Sequence, residues 1–300
     1  MNEPRPHYFH VGGLTIQVEA DLAIPPGAFD ELFEGFRVHA PGPDTVCLRH
    51  HFSLPELPWR ELGRPVCVQP PWAVYRWGER WVYAGLSAGS QSARSQQLAV
   101  YNDKHSQGDI YHMDTAAFQA GHLSELSQVP GDEDLLARLL ALRDGCLMQA
   151  AGLVLEGQGL ALVCHTDCGC SDLLEQMGSD GVLLCDERVI LRRWPTGYRV
   201  HGSWLHGARP QVSSASYPLR AVLVLEQTAR VGLTRLKRDK AAQLLPMFAV
   251  KPLLVRESWL PTLDLLADLA RQVPVYRLRF DQGGGVRYLL RDLVAGKTRA

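Results

Sequence analysis

The sequence predicts a mixed α/β protein, and three observations carry that expectation. In the second half, apolar runs of strand length alternate with stretches whose apolar residues recur every three or four positions, the pattern of strands alternating with helices. In the first hundred residues, period-two and aromatic runs are separated by glycine turns, which places a β-rich part ahead of the α/β core. No internal repeat interrupts either pattern. The 300 residues suffice for one large domain or two ordinary ones, and the expected division is a β-rich N-terminal part over residues 1–128, packed on a core over residues 129–300.

Taken in order, "YFHVGGLTIQVEA" alternates around a Gly-Gly turn, and "WAVYRWGERWVYAGL" carries two aromatic runs around Gly78, both readings of hairpins. Proline-rich connections, "HAPGPD" and "SLPELPWRELGRP", lie between them. A hairpin packed on a sheet accounts for Trp72, Tyr75, Trp77, Trp81 and Tyr83 without invoking a ligand cage. The polar stretch from Ser87 to Ser106 reads as exposed, and "GDEDLLARLLALRDGCLMQAAG" reads as an amphipathic helix with acids at its start. "AGLVLEG" and "GLALVCH" follow as two strands joined by a tight turn, then "GVLLCDERVILRRW" as strand, acidic pair, strand, and "YPLRAVLVLEQ" as a buried strand. Two helices, around "RDKAAQLLPMFAV" and "LPTLDLLADLARQV", precede a final strand pair in "VPVYRLRFDQGGGVRYLL".

Composition excludes several classes. Apolar residues are 46% and charged residues 21%, as in ordinary globular domains and unlike disordered chains. A net charge of −1 gives no electrostatic reason to expect nucleic acid or an anionic membrane as partner, and the oligomeric state stays open. No segment is apolar enough to span a bilayer, and "MNEPRPHYFH" lacks the apolar stretch of a signal peptide, so a cytoplasmic location is the expectation. Seven cysteines, an odd number unevenly spread, favour free thiols, a metal or a reactive site over a disulfide framework. Cys47, Cys67 and Cys146 sit singly in apolar company and read as core residues.

The stretch "VCHTDCGCSD", residues 163–172, lies where a strand runs into a helix. In the phosphate-binding pattern G-x-x-x-x-G-K-[ST], glycines let backbone N–H groups turn inward, lysine supplies a point charge and the hydroxyl holds magnesium. Over that frame Cys164 takes the first glycine position, Gly169 the second, Cys170 the lysine position and Ser171 the hydroxyl position. About fifteen residues on, Asp186 and Glu187 stand at the end of a strand, where such proteins hold magnesium and place a general base.

From about Arg143 to about Leu290 the chain resembles the C-terminal domain of HPr kinase/phosphorylase and its single-chain kinase-like relatives, which share a P-loop core with PEP carboxykinases. The resemblance rests on "GLVLEGQGLALV" before the loop, "LLCDERVIL" against the family's Ser-Asp-Asp-Arg strand, "VHGSWLHG" in place of a Gly-Thr-Pro-Trp type loop, "YPLRAVLVLEQ" and the closing "QVPVYRLRF". It implies a PEP carboxykinase/HPr-kinase-like P-loop core, magnesium held by Ser171 and Asp186, and, in an active enzyme, catalytic roles for Asp186 and Glu187.

The departures point the other way. Cys170 cannot supply the lysine charge, because a neutral thiol is a weak donor and a thiolate repels phosphate. Asp167 stands where relatives carry glycine, and one like-charge contact at about 4 Å and an effective dielectric near 20 costs roughly 4 kcal/mol. Gln149 replaces a common histidine, and Ala208 follows "LHG" where relatives often have glutamate. Arg192, Arg193 and Arg220 are candidates to replace the lost charge, or else solvated strand ends. Ordinary Mg-ATP binding is therefore not expected in this loop.

Cys164, Cys168, Cys170 and Cys185, with His165, His201 and His206, form a candidate zinc set if the strand ending in Cys185 lies beside the loop strand. The spacing C-x3-C-x-C is not a common zinc pattern, so zinc is not expected. A Cys168–Cys170 redox pair is the other thiol reading, since a helix N-terminus lowers thiol pKa. The expected function is a degenerate, non-catalytic HPr-serine-kinase-like protein that binds a protein or peptide partner in a peptide-modification or phosphotransfer pathway. An active Mg-ATP-dependent serine kinase with a non-standard phosphate loop, and a metal or redox site at the cysteine-rich loop, remain as alternatives.

Overall fold

Two glycines in the left-handed region, Gly12 at φ +58° and Gly13 at φ +83°, close the first hairpin, as the Gly-Gly pair requires. The computed structural model describes residues 5–57, 59–86, 97–163, 169–253 and 255–297. The chain is a mixed α/β protein with two mixed sheets. It divides into one unit of Met1–Leu139 with Lys251–Val255 and another of Leu140–Val250 with Arg256–Ala300.

The first unit holds β1 (His7–Val11), β2 (Leu14–Ala20), β3 (Arg37–Val38), β4 (Thr45–His51), α1 (Trp59–Leu62), β5 (Cys67–Gln69), β6 (Trp72–Trp77), β7 (Arg80–Gly85), β8 (Gln97–Asn102), β9 (Gln107–His112), α2 (Ala116–Ala120) and most of α3 (Asp132–Ala141). Its sheet runs β3-β1-β2-β4-β9-β8-β7-β6-β5, parallel at β2–β4 and β4–β9 and antiparallel elsewhere. The hairpins at Gly12–Gly13 and Gly78 form as the sequence indicates. Two strands differ from the sequence reading. The interior strand β4 lies between the two proline-rich stretches, and β8 buries "LAVY" inside the span expected to be exposed. In both, cross-strand packing on two sides outweighs a short and weakly alternating local pattern.

Three histidines are built into this unit without charge. His50 is fully buried, and its Nε2 meets the carbonyl of Leu126 at 3.0 Å, so that nitrogen carries the proton. Its Nδ1 then accepts from Nε2 of His112 at 2.9 Å. His105 accepts from buried Arg138 through Nδ1 at 2.9 Å and donates through Nε2 to the Tyr83 hydroxyl at 2.7 Å. Burial pushes His50 down to about 3, and burial followed by the Arg138 charge pushes His105 down to about 2. Glu125 moves oppositely, up to about 7, through burial and then the neighbouring Asp132 carboxylate.

The second unit holds β10 (Gly145–Leu155), β11 (Gln158–Val163), α4 (Cys170–Met177), β12 (Val182–Cys185), β13 (Arg188–Trp194), β14 (Gly197–His201), β15 (Ser216–Gln227), β16 (Gly232–Arg235), α5 (Arg238–Leu244), α6 (Val255–Gln272), β17 (Val275–Phe280) and α7 (Val286–Val294). Pairings β10–β13, β13–β14, β14–β15, β15–β11 and β11–β10 form a closed circuit, made possible by the lengths of β10 and β15. Outside the circuit, β17 joins β15 in parallel and β16 joins β17 at the edge. Alternate residues of the shared strands enter different cores. Ala161, Val163 and Val222 face one with α5 and α6, while Leu160, Leu162, Ala221 and Leu223 face another with α4 and α7.

Three expectations are corrected here. The helix over "GDEDLLARLLALRDGCLMQAAG" ends at Ala141, and β10 starts at Gly145, because period two takes over: Cys146, Met148 and Ala150 enter one core, Ala151, Leu153 and Leu155 the other. The final strand pair is β17 followed by a helix, since Val286, Leu290 and Leu293 recur at helical spacing and bury against Leu173, Leu174 and Met177. The second partner of β17 is instead β16, unrecognised in the sequence. Finally, β12 does not lie beside β11. They pair with opposite edges of β10, which separates the Cys185 strand from the loop strand.

The histidines and Glu125 give opposite pH signatures. A histidine held neutral binds fewer protons folded than unfolded, so its contribution is lost as pH falls from the unfolded value near 6.5, at up to about 1.4 kcal/mol per pH unit. Glu125 favours the folded state below its unfolded value and loses that advantage as pH rises through about 7. Urea titrations across this range are expected to give a shallower rise of stability with pH for His50→Gln, and a steeper one for Glu125→Gln. The same slope in both variants and the parent chain would contradict this assignment.

Candidate functional site

Strands β11, β15 and β17 are mutually parallel, so their carboxyl ends, Val163, Gln227 and Phe280, share one edge of the sheet. In open α/β sheets this is where ligands bind. Cys164, Asp167, Cys168 and His165, the first part of the sequence-predicted loop, lie outside the described residues. What is described begins at Gly169, in the position that precedes α4, at φ +79°. The backbone conformation favours glycine, and a Cβ there would also crowd Oε1 of Gln227 at 2.7 Å and the Phe280 ring at 3.1 Å. Gln227 also donates through Nε2 to the Asp172 carboxylate at 3.0 Å, fastening the start of α4 to β15.

Cys170 and Ser171 form the first two positions of α4. Cys170 packs partly against the core that α4 shares with α7. Burial, and then the Asp186 carboxylate, push its thiol up to about 11, against a smaller downward pull from Arg209. The alternative in which the helix N-terminus activates this thiol has both desolvation and a neighbouring anion against it. Cys185 is buried, donates from Sγ to the carbonyl of Leu205 at 3.1 Å and is likewise pushed up by burial.

Asp186 and Glu187 occupy the turn between β12 and β13, as the sequence indicates. The Asp186 carboxylate accepts from the Gly207 N–H at 2.7 Å through Oδ1 and from the Arg209 N–H at 2.8 Å through Oδ2. Gly207 lies close to the second acid: a Cβ there would stand 2.8 Å from Oε2 of Glu187. Glu187 itself pairs with Arg188 at 2.9 Å. Ala208, between these two donors, contributes no charge. Gln149 lies in β10, in register with Arg188, and its N–H donates to the Phe248 carbonyl at 2.7 Å.

A cation at the start of α4 is one that sequence reasoning missed. The Arg209 guanidinium reaches the Ser171 carbonyl at 3.4 Å and the Glu175 carboxylate at 3.0 Å. Its signal in the sequence was its place two residues after Gly207, in the segment already singled out for Ala208. The three arginines proposed for this role lie elsewhere. Arg192 donates to the Arg143 carbonyl and stacks on Trp194, and Arg193 pairs with Asp144 and Asp268. Arg220 lies in β15 between Leu219 and Ala221, which pair with the start of β11, at the far end of the sheet from the loop. His201 is buried against Trp194, and His206 contacts the Gly207 carbonyl.

The described residues at the start of α4 do not fit a magnesium-bound nucleotide in the manner of an ordinary P-loop. A neutral thiol stands at the lysine position, each oxygen of Asp186 already accepts a backbone N–H, and Arg209 is turned toward Glu175. Among the described residues, no group of three or more His, Cys, Asp or Glu side chains is arranged to hold a metal ion. Nor is any helix among them long and apolar enough to cross a membrane.

No family model matches this chain, and no curated protein does. Among solved structures it is similar to the Hpr(Ser) kinase/phosphatase from Coxiella burnetii, with 10% sequence identity, 50% of this chain and 88% of that chain covered, and a TM-score of 0.30.

Two outcomes test this geometry. Asp186→Ala removes two charge-assisted hydrogen bonds and is expected to cost about 1.5–3 kcal/mol, with faster hydrogen exchange at the Gly207 and Arg209 amides. Unchanged exchange there would show that the carboxylate does not hold the loop. Alkylation of Cys170 near pH 8, followed by peptide mass spectrometry, should run well below the rate of an unfolded-chain cysteine and climb as pH approaches about 11. Rapid labelling at neutral pH would contradict a buried, protonated thiol.

Proposed function

We propose that this chain is a degenerate HPr-serine-kinase-like protein whose kinase-like unit is non-catalytic and which binds a protein or peptide partner, in a cytoplasmic peptide-modification or phosphotransfer pathway. The observation that carries the non-catalytic reading is the occupation of Asp186 by the Gly207 and Arg209 N–H groups beside a protonated Cys170. A carboxylate committed to its own loop and a thiol in place of lysine leave little to neutralise a triphosphate, whose transfer depends on cations placed around the phosphoryl oxygens. The motif order in the sequence supports descent from a kinase-like scaffold. Binding without phosphotransfer is the function left to a scaffold that has lost its cation.

One observation favours a second reading. Arg209 sits at the first turn of α4, and by leaving Glu175 it would bring a guanidinium toward the loop; that is the arrangement an active Mg-ATP-dependent serine kinase with a non-standard phosphate loop would need. The metal or redox reading has less support, since Cys170 and Cys185 are both pushed away from the thiolate form.

Calorimetric titration with Mg-ATP separates these. The non-catalytic reading expects no saturable heat and no ATP turnover with or without Arg209. Micromolar binding that is lost in both Ser171→Ala and Arg209→Ala would establish the kinase reading instead.

A further inference from the structure

The basic charge of the second unit is unevenly distributed. Several arginines of this unit are matched to a carboxylate: Arg188 to Glu187, Arg209 to Glu175, Arg287 and Arg291 to Asp180. One stretch gathers basic residues without such a match. From Gln227 to Lys240 the sequence carries Arg230, Arg235, Lys237, Arg238 and Lys240 against a single acid, Asp239. All five basic side chains are exposed, and none has an ion-pair partner among the described residues. On the neighbouring strand Arg277 and Arg279 share one carboxylate, Glu226. This surface is strongly cationic in a chain whose net charge is −1.

The same stretch contains β16, the last strand of its sheet. The Leu236 N–H donates to the Val275 carbonyl at 2.9 Å, so Leu236 and every second residue before it turn their backbone groups toward β17. By that alternation the N–H and C=O groups of Leu233 and Arg235 point outward, away from the sheet, and no strand among the described residues pairs with them. Such a row of free backbone groups is a template for one more strand. Basic residues along an edge ordinarily guard against pairing with another copy of the same chain, because two cationic edges repel. That repulsion excludes self-association through β16 and selects a partner of the opposite charge.

We propose that β16 is a docking edge for an extended acidic peptide segment of a partner protein, which adds as a further strand beyond Leu233 and Arg235 and sets its carboxylates against the basic residues around it. A peptide fits better than a nucleic acid, since only a peptide backbone can use the outward N–H and C=O groups at strand spacing, and no aromatic ring stands among the five basic residues to stack a base. This names the chemistry of the partner and rests on the proposed role of the protein as a binding module. It does not depend on the state of the α4 loop.

The test is fluorescence anisotropy with a short labelled peptide alternating Glu and Thr, at low and moderate salt. The expected result is saturable binding that weakens with salt and falls by about tenfold or more in Arg235→Glu/Lys237→Glu, a loss of roughly 1.4 kcal/mol or more. Amide exchange of Leu233 and Arg235 should slow when the peptide is bound. Circular dichroism confirms that the exposed double variant stays folded, and Arg192→Glu in a different part of the unit should leave binding unchanged.

Three outcomes would overturn the proposal: equal affinity for the same peptide N-methylated on alternate residues, which cannot form the ladder; tighter binding of a single-stranded oligonucleotide or of anionic vesicles; or unchanged affinity in the double variant. Because Mg-ATP turnover is measured separately, an active kinase that also binds the peptide would refute the non-catalytic reading and leave this one standing. A nucleotide-free protein that ignores the peptide would do the reverse.

Discussion

Two-sided burial of β10, β11 and β15 is the constraint on which the second unit depends. Each strand carries apolar residues at nearly every position, and alternate side chains enter two separate cores. A slip of one residue in any of them would move a set of side chains sized for one core into the other. The near-continuous apolar runs of "GLVLEG" and "GLALV" are therefore a register device as well as a source of hydrophobic free energy. Closing the pairing circuit from β10 through β13, β14, β15 and β11 fixes that register a second time, since an error at one pairing must be matched at every other.

The candidate site follows from this scaffold. Parallel pairing of β11, β15 and β17 brings three strand ends together at the point where the chain leaves β11 for α4. Pairing of β12 and β13 with β10 carries Asp186 toward the same helix, whose first residue feels its charge. There Asp186 holds the segment containing Gly207 and Arg209, Gln227 holds the start of α4, and Arg209 bridges to Glu175, so these polar groups satisfy one another.

In the first unit several of the buried polar groups are histidines and tyrosines. His50 with His112, and His105 with Tyr83 and Arg138, each exchange defined hydrogen bonds within a wall of aromatic rings. Neutral imidazoles avoid most of the desolvation cost that charged groups would incur at those positions. The buried cation Arg138 lies over the Trp81 ring and donates to His105, whose burial, followed by the Arg138 charge, keeps it uncharged.

The sequence by itself determined the elements whose signal is local. The Gly-Gly and Gly78 hairpins, the pair of strands before the loop, the acidic turn at Asp186 and Glu187 and the helix beginning at Cys170 all follow from turn residues and short-range periodicity. It could not determine which distant groups meet. Arg209 was overlooked while Arg192, Arg193 and Arg220 were considered, because nothing local tells which loop folds over the start of α4. The state of Cys170 has the same origin: sequence shows a thiol at a helix N-terminus, whereas its protonation follows from burial and from a carboxylate sixteen positions away. Likewise β16 is too short and too polar to announce itself, and becomes a strand only because β17 presents a free edge. Charge, burial and edge exposure are properties of long-range register, and only the tertiary structure decided them.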